Sequence, residues 1–233
     1  MAAPVCVVTG VGPGNGASFT RKFCREGYRV AMLARSAESL AKMESAIDGS
    51  LAVACDVGDR ESVTEAFARV RRDLGPVEVL VHNAGNAVFG SFLDVDDEAM
   101  ESAWRVNTLG LFRCGREAVA DMQKAGKGNL VVIGATSSLR GGAAFAAFAS
   151  AKAAQRSLAQ SMARAMGPQG IHVSYVIVDG VIDMPRTRAF MKDRPDDFFL
   201  QPDDIADTVF HLVQQPASAW TFELDLRPFG EKW

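Results

Sequence analysis

Apolar residues along the chain fall into short runs that are separated by longer amphipathic stretches. Each run is rich in Val, Ile and Leu and is bounded by Gly, Asp or Asn. The runs are nearly continuous rather than alternating, which is typical of strands buried on both faces of a sheet. They predict six strands, at residues 4–9, 29–34, 51–55, 77–82, 130–133 and 171–178.

The segments between these strands are long enough for helices, so strands and helices alternate along the chain. Such alternation indicates right-handed βαβ units on a parallel sheet. Residues 220–226 alternate between apolar and polar positions, which predicts a last strand at one edge. We therefore expect an α/β fold, a doubly wound parallel sheet of about seven strands.

The chain has 233 residues without an internal repeat, a low-complexity tract or a linker, and we predict a single domain over residues 1–233. Apolar residues make up 48% and charged residues 23%, proportions that exclude a disordered chain. Lys and Arg total 25 against 28 Asp and Glu, and no block of like charges occurs. We therefore expect no nucleic-acid partner.

The four cysteines lie far apart, with no CxxC pair and no nearby histidine cluster. This spacing predicts free thiols rather than a metal site or a disulfide framework. The longest apolar runs are much shorter than the ~20 residues that a membrane span needs, and the N-terminus does not resemble a signal peptide. We expect a cytoplasmic protein with no membrane partner.

A glycine-rich turn follows the first predicted strand, in the sequence VVTGVGPGNGA. Such a turn lets backbone N–H groups approach a pyrophosphate at the positive end of the next helix. Any tight strand-to-helix turn can also use glycine, so the turn alone is weak support for a nucleotide site. The candidate cofactor-binding residues here are Gly10, Gly12, Gly14, Asn15 and Gly16.

The spacing of this turn resembles the TGxxxGxG motif of the short-chain dehydrogenase/reductase family. Further matches occur in the family's order along nearly the whole chain. They are Asp56 and Val57 in CDV, Asn83, Ala84 and Gly85 in NAG, Asn107 in WRVN, and Lys152 in ASAKAA. The resemblance implies a Rossmann-type three-layer αβα fold that binds NAD(H) or NADP(H), with hydride transfer as the usual chemistry.

The resemblance also implies roles for these residues. Asp56 would accept a hydrogen bond from the adenine amino group, although it could instead cap the helix that begins near residue 59. Lys152 would donate to the nicotinamide ribose hydroxyls and hold positive charge beside the reacting centre, whereas a lone helical lysine is more often solvated. Gly180 and Ile182 follow the sixth strand, where the family contacts the nicotinamide.

The chain departs from the family at the proton donor. The family's tyrosine, four positions before the lysine, is Phe148 here, and the enoyl-reductase branch's alternative position is Phe145. A phenyl ring cannot transfer a proton. Tyr28 and Tyr175 are the only tyrosines, and neither is expected to reach the catalytic edge.

The catalytic serine is also missing in strict register, because Ala135 stands at its position. Hydroxyls crowd the same loop, in Thr136, Ser137 and Ser138, and a shift of one or two residues would bring one into the pocket. We take Ser138 as the candidate, while capping of the next helix is the alternative. Among the histidines, His172 and His211 are expected to be structural, and alternation along the strand turns His82 away from Asn83.

Arg35 follows the second strand where NAD-preferring relatives carry an acidic residue. An arginine at this point can hold a 2′-phosphate through two hydrogen bonds, so NADP(H) is favoured and NAD remains possible. An ordinary surface arginine is the alternative interpretation.

Two functional hypotheses follow. The first is an NADP(H)-dependent oxidoreductase that transfers hydride to or from a small carbonyl or enoyl substrate by a non-standard proton path, with Lys152, Asn107 and Ser138 as catalytic residues. The second is a non-catalytic NAD(P)-binding sensor or scaffold. Residues 184–200 occupy the family's substrate-lid position. Residues 141–166 carry mostly small side chains, which let helices approach closely, and in the family the matching helix pairs with its symmetry mate. The resemblance therefore implies a homo-dimer or homo-tetramer.

Overall fold

The computed structural model describes residues 2–230, so residues 1 and 231–233 of the predicted domain lie outside the described part. The strands are β1 (Val5–Thr9), β2 (Arg29–Ala34), β3 (Ser50–Ala54), β4 (Val77–His82), β5 (Gly128–Ala135), β6 (Ile171–Val178), β7 (Val181–Ile182), β8 (Phe199–Leu200) and β9 (Glu223–Leu226). Seven of them form a parallel sheet in the order β3-β2-β1-β4-β5-β6-β9, and β7 pairs separately with β8.

Helices cover both faces of this sheet. They are α1 (Asn15–Arg25), α2 (Ala37–Glu44), α3 (Arg60–Asp73), α4 (Asp97–Trp104), α5 (Gly110–Ala125), α6 (Ala146–Met166), α7 (Pro185–Phe190) and α8 (Pro202–Val213). One apolar core lies between the sheet and α1, α2 and α8, and a second lies between the sheet and α3, α5 and α6. The predicted three-layer αβα fold is confirmed. No helix within residues 2–230 is long and apolar enough to cross a membrane.

β5 differs most from its predicted extent of 130–133. It is longer because it pairs with β6 along its whole length, from Gly128 opposite Ile171 to Ala135 opposite Val178. Glycine is a poor strand former, but a Cβ on Gly134 would lie 2.3 Å from the ring of Tyr175. The glycine therefore makes room for a large buried side chain of the neighbouring strand. β9 lies at the sheet edge as predicted, beside β6 alone.

The turn after β1 brings the backbones of β1 and β4 into contact. Gly10 has a φ of +67°, and a Cβ at this position would lie 2.5 Å from the Cα of Ala84. At the start of α1, a Cβ on Gly16 would lie 2.6 Å from the Cα of Val11. A Cβ on Gly12, by contrast, would meet nothing within 4 Å. Close packing thus requires glycine at residues 10 and 16, whereas residue 12 faces open space.

The strand order reverses between β1 and β4, because the chain runs outward to β3 on one side and to β6 on the other. In open α/β sheets the carboxyl ends of the strands at such a reversal flank a crevice in which ligands bind. The glycine turn after β1 and the Asn83–Gly85 segment after β4 both lie at this place.

Gly10→Ala should destabilise the protein by about 2 kcal/mol or more, because the new side chain combines an unfavourable φ with overlap against the β4 backbone. Gly12→Ala is the matched control, and its free energy of unfolding should change by less than about 1 kcal/mol. Urea unfolding followed by circular dichroism measures both variants. Equal stability of the two would contradict the close approach of the strands.

Candidate active site

A cleft of about 330 Å³ opens at the carboxyl ends of the central strands. Residues of the glycine turn, the ends of β4, β5 and β6, helix α6 and the segment after β7 surround it. Its lining is Gly10, Gly12, Pro13, Asn15, Gly16, Asn83, Gly85, Ala87, Ile133, Gly134, Ala135, Phe148, Lys152, Val178, Gly180, Ile182 and Met184. Many of the residues predicted from the motifs, from four separate parts of the chain, are thus brought together.

One side of this cleft is built from the glycine turn and Asn83. Asn83 Nδ2 donates to the Gly10 carbonyl at 2.9 Å, which fastens the end of β4 to the turn. Asn15, in the first turn of α1, is 7% exposed, and its Oδ1 has no hydrogen-bond partner within residues 2–230. The Asn15 oxygen could accept a hydrogen bond from a hydroxyl group of a dinucleotide. The open space at Gly12 and the positive end of α1 would suit its phosphate groups.

Lys152 is the buried cation of the site. Its side chain extends from α6 into the cleft lining, and the residue is only 5% exposed. Nζ donates to the Ile133 carbonyl at 2.9 Å and to Gln155 Oε1 at 3.0 Å. Burial disfavours the charged ammonium and lowers the pKa of Lys152 to about 7.

Asn107 lies in a π-helical turn, Arg105–Leu109, which joins α4 to α5. Its Nδ2 donates to the carbonyls of Ala103 at 2.9 Å and Asn86 at 3.0 Å, so its side chain fixes the loop after β4. Its own carbonyl accepts from Gln155 Nε2 at 2.8 Å. π-Helical turns occur frequently at functional sites, and here the turn directs this carbonyl towards the lysine's neighbour.

Neither the family's tyrosine nor its serine has a hydroxyl counterpart in the cleft lining. The Phe148 ring and the Ala135 methyl occupy those positions, and the ring centroid lies 5.9 Å from Lys152 Nζ. Tyr175 is buried beneath α6, and Tyr28 packs edge-on against Phe23 at 5.2 Å on the other side of the sheet. Both tyrosines lie outside the lining, as expected.

The loop hydroxyls after β5 are bonded away from the cleft. Ser138 is 4% exposed and donates to the Ala135 carbonyl, and Thr136 donates to the carboxylate of Asp179. Neither residue belongs to the lining of the cleft described above. The catalytic role of Ser138 stays a prediction, and this arrangement gives its hydroxyl no contact with the site.

None of the three histidines lies in the cleft lining. His82 is fully buried with Nδ1 3.1 Å from Thr9 Oγ1, and burial, aided by the Lys152 charge, lowers its pKa to about 3. His172 stacks on Trp220 with ring centroids 4.8 Å apart, and His211 is exposed on α8. Within residues 2–230, no cluster of three His, Cys, Asp or Glu residues is placed to hold a metal ion.

The remaining predicted cofactor residues lie at the carboxyl ends of β2 and β3. Arg35 is exposed directly after β2, and Asp56 is exposed after β3. Asp56 Oδ1 accepts from the Gly58 N–H at 2.8 Å, whereas Asp59 caps α3, so the interpretation of Asp56 as that cap is wrong. Val57 is buried against α5, 6% exposed, so its backbone is what it can offer a ligand.

The segment in the lid position is held together by contacts of Arg188 with the residues at its two ends. Arg188 pairs with both carboxylate oxygens of Asp183 at 2.7 Å, and its guanidinium lies 4.0 Å from the Phe199 ring centroid. Phe199 is buried and therefore a packing residue, while Phe190 is 80% exposed. Met184, the first residue of the segment predicted as the lid, lines the cleft opposite the glycine turn.

Gln155 is the principal site residue that sequence reasoning missed. It is fully buried and bonds both Lys152 and Asn107, two residues that the motifs had identified. A signal was present, because residues three apart on a helix share a face. A polar side chain on the same face of α6 as the lysine would have indicated a partner for the ammonium.

Comparisons with known proteins agree with this geometry. The family profile described as short chain dehydrogenase matches residues 4–195. The 3-oxoacyl-[acyl-carrier-protein] reductase MabA of Mycobacterium tuberculosis is 31% identical over 221 residues, which cover 91% of this chain and 86% of that protein.

Two solved structures are similar over nearly the whole chain. A short-chain dehydrogenase from Rhodopseudomonas palustris has a TM-score of 0.84 and 35% identity, and the match covers 97% of this chain and 99% of the other. A variant of actinorhodin polyketide ketoreductase, solved with NADPH, has a TM-score of 0.87 and 25% identity, covering 98% of each chain. The chain therefore belongs to the short-chain dehydrogenase/reductase family of oxidoreductases.

Proposed function

We propose that the protein is an NADP(H)-dependent reductase that transfers hydride to a small carbonyl or enoyl substrate without a catalytic tyrosine. The observation that carries this proposal is the buried Lys152, which lines the cleft beside the glycine turn. A lysine that served only solubility would lie exposed on the surface rather than buried in the cleft lining. The Phe148 and Phe89 rings, whose centroids are 6.0 Å apart, extend an apolar wall from the cleft that suits an uncharged substrate.

Different residues of the chain would bind different parts of the cofactor. The glycine turn and Asn15 would bind the pyrophosphate, Asp56 and Val57 would contact the adenine end, and Asn83, Ala84 and Gly85 would contact the cofactor after β4. Gly180 and Ile182 would contact the nicotinamide end. The backbone carbonyl of Asn107 accepts from Gln155, which in turn accepts from Lys152. The cofactor supplies the hydride; the protein positions it and excludes water.

A non-catalytic sensor or scaffold is the alternative that the missing hydroxyls leave open. NADPH consumption across a panel of carbonyls, enones and enoyl thioesters distinguishes the two functions. Turnover of any member that Lys152→Ala abolishes supports the reductase. Tight NADPH binding without turnover on the whole panel would favour the sensor.

Arg35 should make the protein prefer NADPH, since its guanidinium can pair with the 2′-phosphate at the end of β2. We expect NADPH to bind at least tenfold more tightly than NADH, a difference of about 1.4 kcal/mol. Arg35→Ala should remove this preference, while Arg164→Ala, on the exposed end of α6, should preserve it. Calorimetric titration measures the affinities, and equal binding of both cofactors to the unmodified chain would refute the assignment.

Phe148→Tyr should restore the family's proton donor. Residues 148 and 152 are one helical turn apart, and Phe148 already faces the Lys152 ammonium, whose charge would lower the pKa of the new phenol. We expect NADPH-dependent reduction of diketones or quinones to rise roughly ten- to a thousandfold. Adding Lys152→Ala should erase the gain. A folded, cofactor-binding variant with no gain on any carbonyl would contradict this placement of the phenyl ring.

We also expect a homo-dimer or homo-tetramer. Ala153, Ser157 and Ser161 recur every fourth residue on the exposed side of α6, and their short side chains allow a second helix to approach closely. The apolar side chains of Met100 and Trp104 are exposed on the adjacent α4. Light scattering at micromolar concentration measures the mass, and a monomer would refute the expectation.

A further inference from the structure

Gln155 connects the two motif residues that define the reacting end of the cleft. Its Nε2 donates to the Asn107 carbonyl at 2.8 Å, and its Oε1 accepts from Lys152 Nζ at 3.0 Å. The two contacts fix the orientation of the amide, because a flip would set an NH₂ group against the lysine and an oxygen against a carbonyl. Full burial leaves the side chain no alternative partner in water.

No negative charge balances Lys152 within the described residues. Its two acceptors, Ile133 O and Gln155 Oε1, are both neutral. The titratable groups that face it are His82 from β4 and Tyr175 from β6. His82 is neutral above its pKa of about 3, and burial raises the pKa of Tyr175 to about 12, so neither supplies an anion.

The number of N–H groups on the Lys152 nitrogen depends on its protonation state. A neutral amine has two N–H groups and satisfies both acceptors completely, while an ammonium carries a third N–H. Since Lys152 lines the cleft, the third proton of the ammonium, or the lone pair of the amine, is what remains for a ligand there.

We propose that Lys152 itself exchanges the substrate proton in this protein, and that Gln155 is the positioning residue that holds its nitrogen for that role. The inference rests on the proposed function. In reduction, hydride from the dihydronicotinamide forms a C–H bond at the carbonyl carbon, the C=O π electrons move to oxygen, and the oxygen takes a proton from the Lys152 ammonium. The neutral amine then regains a proton from solvent.

The electrostatics of the site support this role. A lysine whose pKa lies at about 7 populates both its acid and its base at neutral pH, which a proton-exchanging group requires. A lysine with the ordinary pKa of about 10.4 remains charged at that pH and is too weak an acid to release its proton readily.

The first test titrates Lys152 in the full chain without cofactor, by NMR of ¹³C,¹⁵N-lysine. The sequence has seven lysines, and Lys152→Arg identifies the resonance. We expect a midpoint near 7 in the unmodified protein. Gln155→Glu should raise it by about one to three units, since a carboxylate favours the ammonium, and Gln155→Met should lower it by removing an acceptor.

Gln160→Glu is the matched control. It makes the same substitution on the same helix, about 12 Å along the axis from Lys152. Its Lys152 midpoint should equal that of the unmodified protein. Shifts of opposite sign in the two Gln155 variants are a result that a general loss of packing would not produce.

The second test compares pH profiles of NADPH-dependent reduction. The rate should fall above the Lys152 midpoint, and this inflection should move upward in Gln155→Glu and downward in Gln155→Met. Lys152→Arg retains the charge but cannot release a proton, so it should lose about 100-fold or more in rate while still binding NADPH.

The inference would be overturned by a Lys152 midpoint near 10, by a midpoint that is unchanged in both Gln155 variants, or by an active Lys152→Arg variant. Failure of the proposed function gives a different pattern. In that case no substrate is reduced, which removes the proton exchange, while the midpoint near 7 and its response to the Gln155 variants persist and support the positioning of the Lys152 nitrogen by Gln155.

Discussion

The site depends on one close approach, between the backbone of Gly10 after β1 and that of Ala84 after β4. No side chain fits between them, since a Cβ on Gly10 would lie within 2.5 Å of Ala84 Cα. The approach is reinforced by the Asn83 side chain on the Gly10 carbonyl and by the Ala84 N–H on Thr9 Oγ1. It brings the glycine turn and the loop after β4 together at the carboxyl edge of the sheet, where both line the cleft.

The second constraint is the burial of Lys152 without a counter-ion. Desolvation of a lone ammonium is costly, and proteins normally offset it with a carboxylate or lose the charge instead. Here both acceptors are neutral, and the pKa falls accordingly. The neighbouring polar groups have partners, since Gln155 Nε2 donates to the Asn107 carbonyl and Gln155 Oε1 accepts from Lys152. The cost is therefore borne by the lysine nitrogen.

Periodicity and motif spacing predicted most of the fold and many of the residues around the cleft. They succeeded where local sequence and tertiary environment agree, as in the apolar strands and the glycine turn. They failed where tertiary packing decides, as in β5, which is longer than predicted because it pairs with β6 along its whole length while Gly134 leaves room for the Tyr175 ring. They also missed Gln155, because a single glutamine acquires meaning only when the lysine and the π-helical turn surround it. Ser138 is the opposite case, a predicted residue that is absent from the cleft lining. It lies three residues from the expected serine position, but its hydroxyl donates to the Ala135 carbonyl.

The phenyl ring at residue 148 and the glutamine at residue 155 act on the same nitrogen. A phenol at position 148 would present an ionisable oxygen to the lysine, and attraction between the two charges would favour the ammonium. The ring of Phe148, 5.9 Å from Nζ, offers only the weak attraction of its π face, which cannot offset burial. Gln155 supplies a neutral acceptor that holds the nitrogen in either protonation state. On the proposed mechanism, burial without an ionisable neighbour at residue 148 leaves the lysine to exchange the proton itself, where the family's tyrosine would otherwise do so.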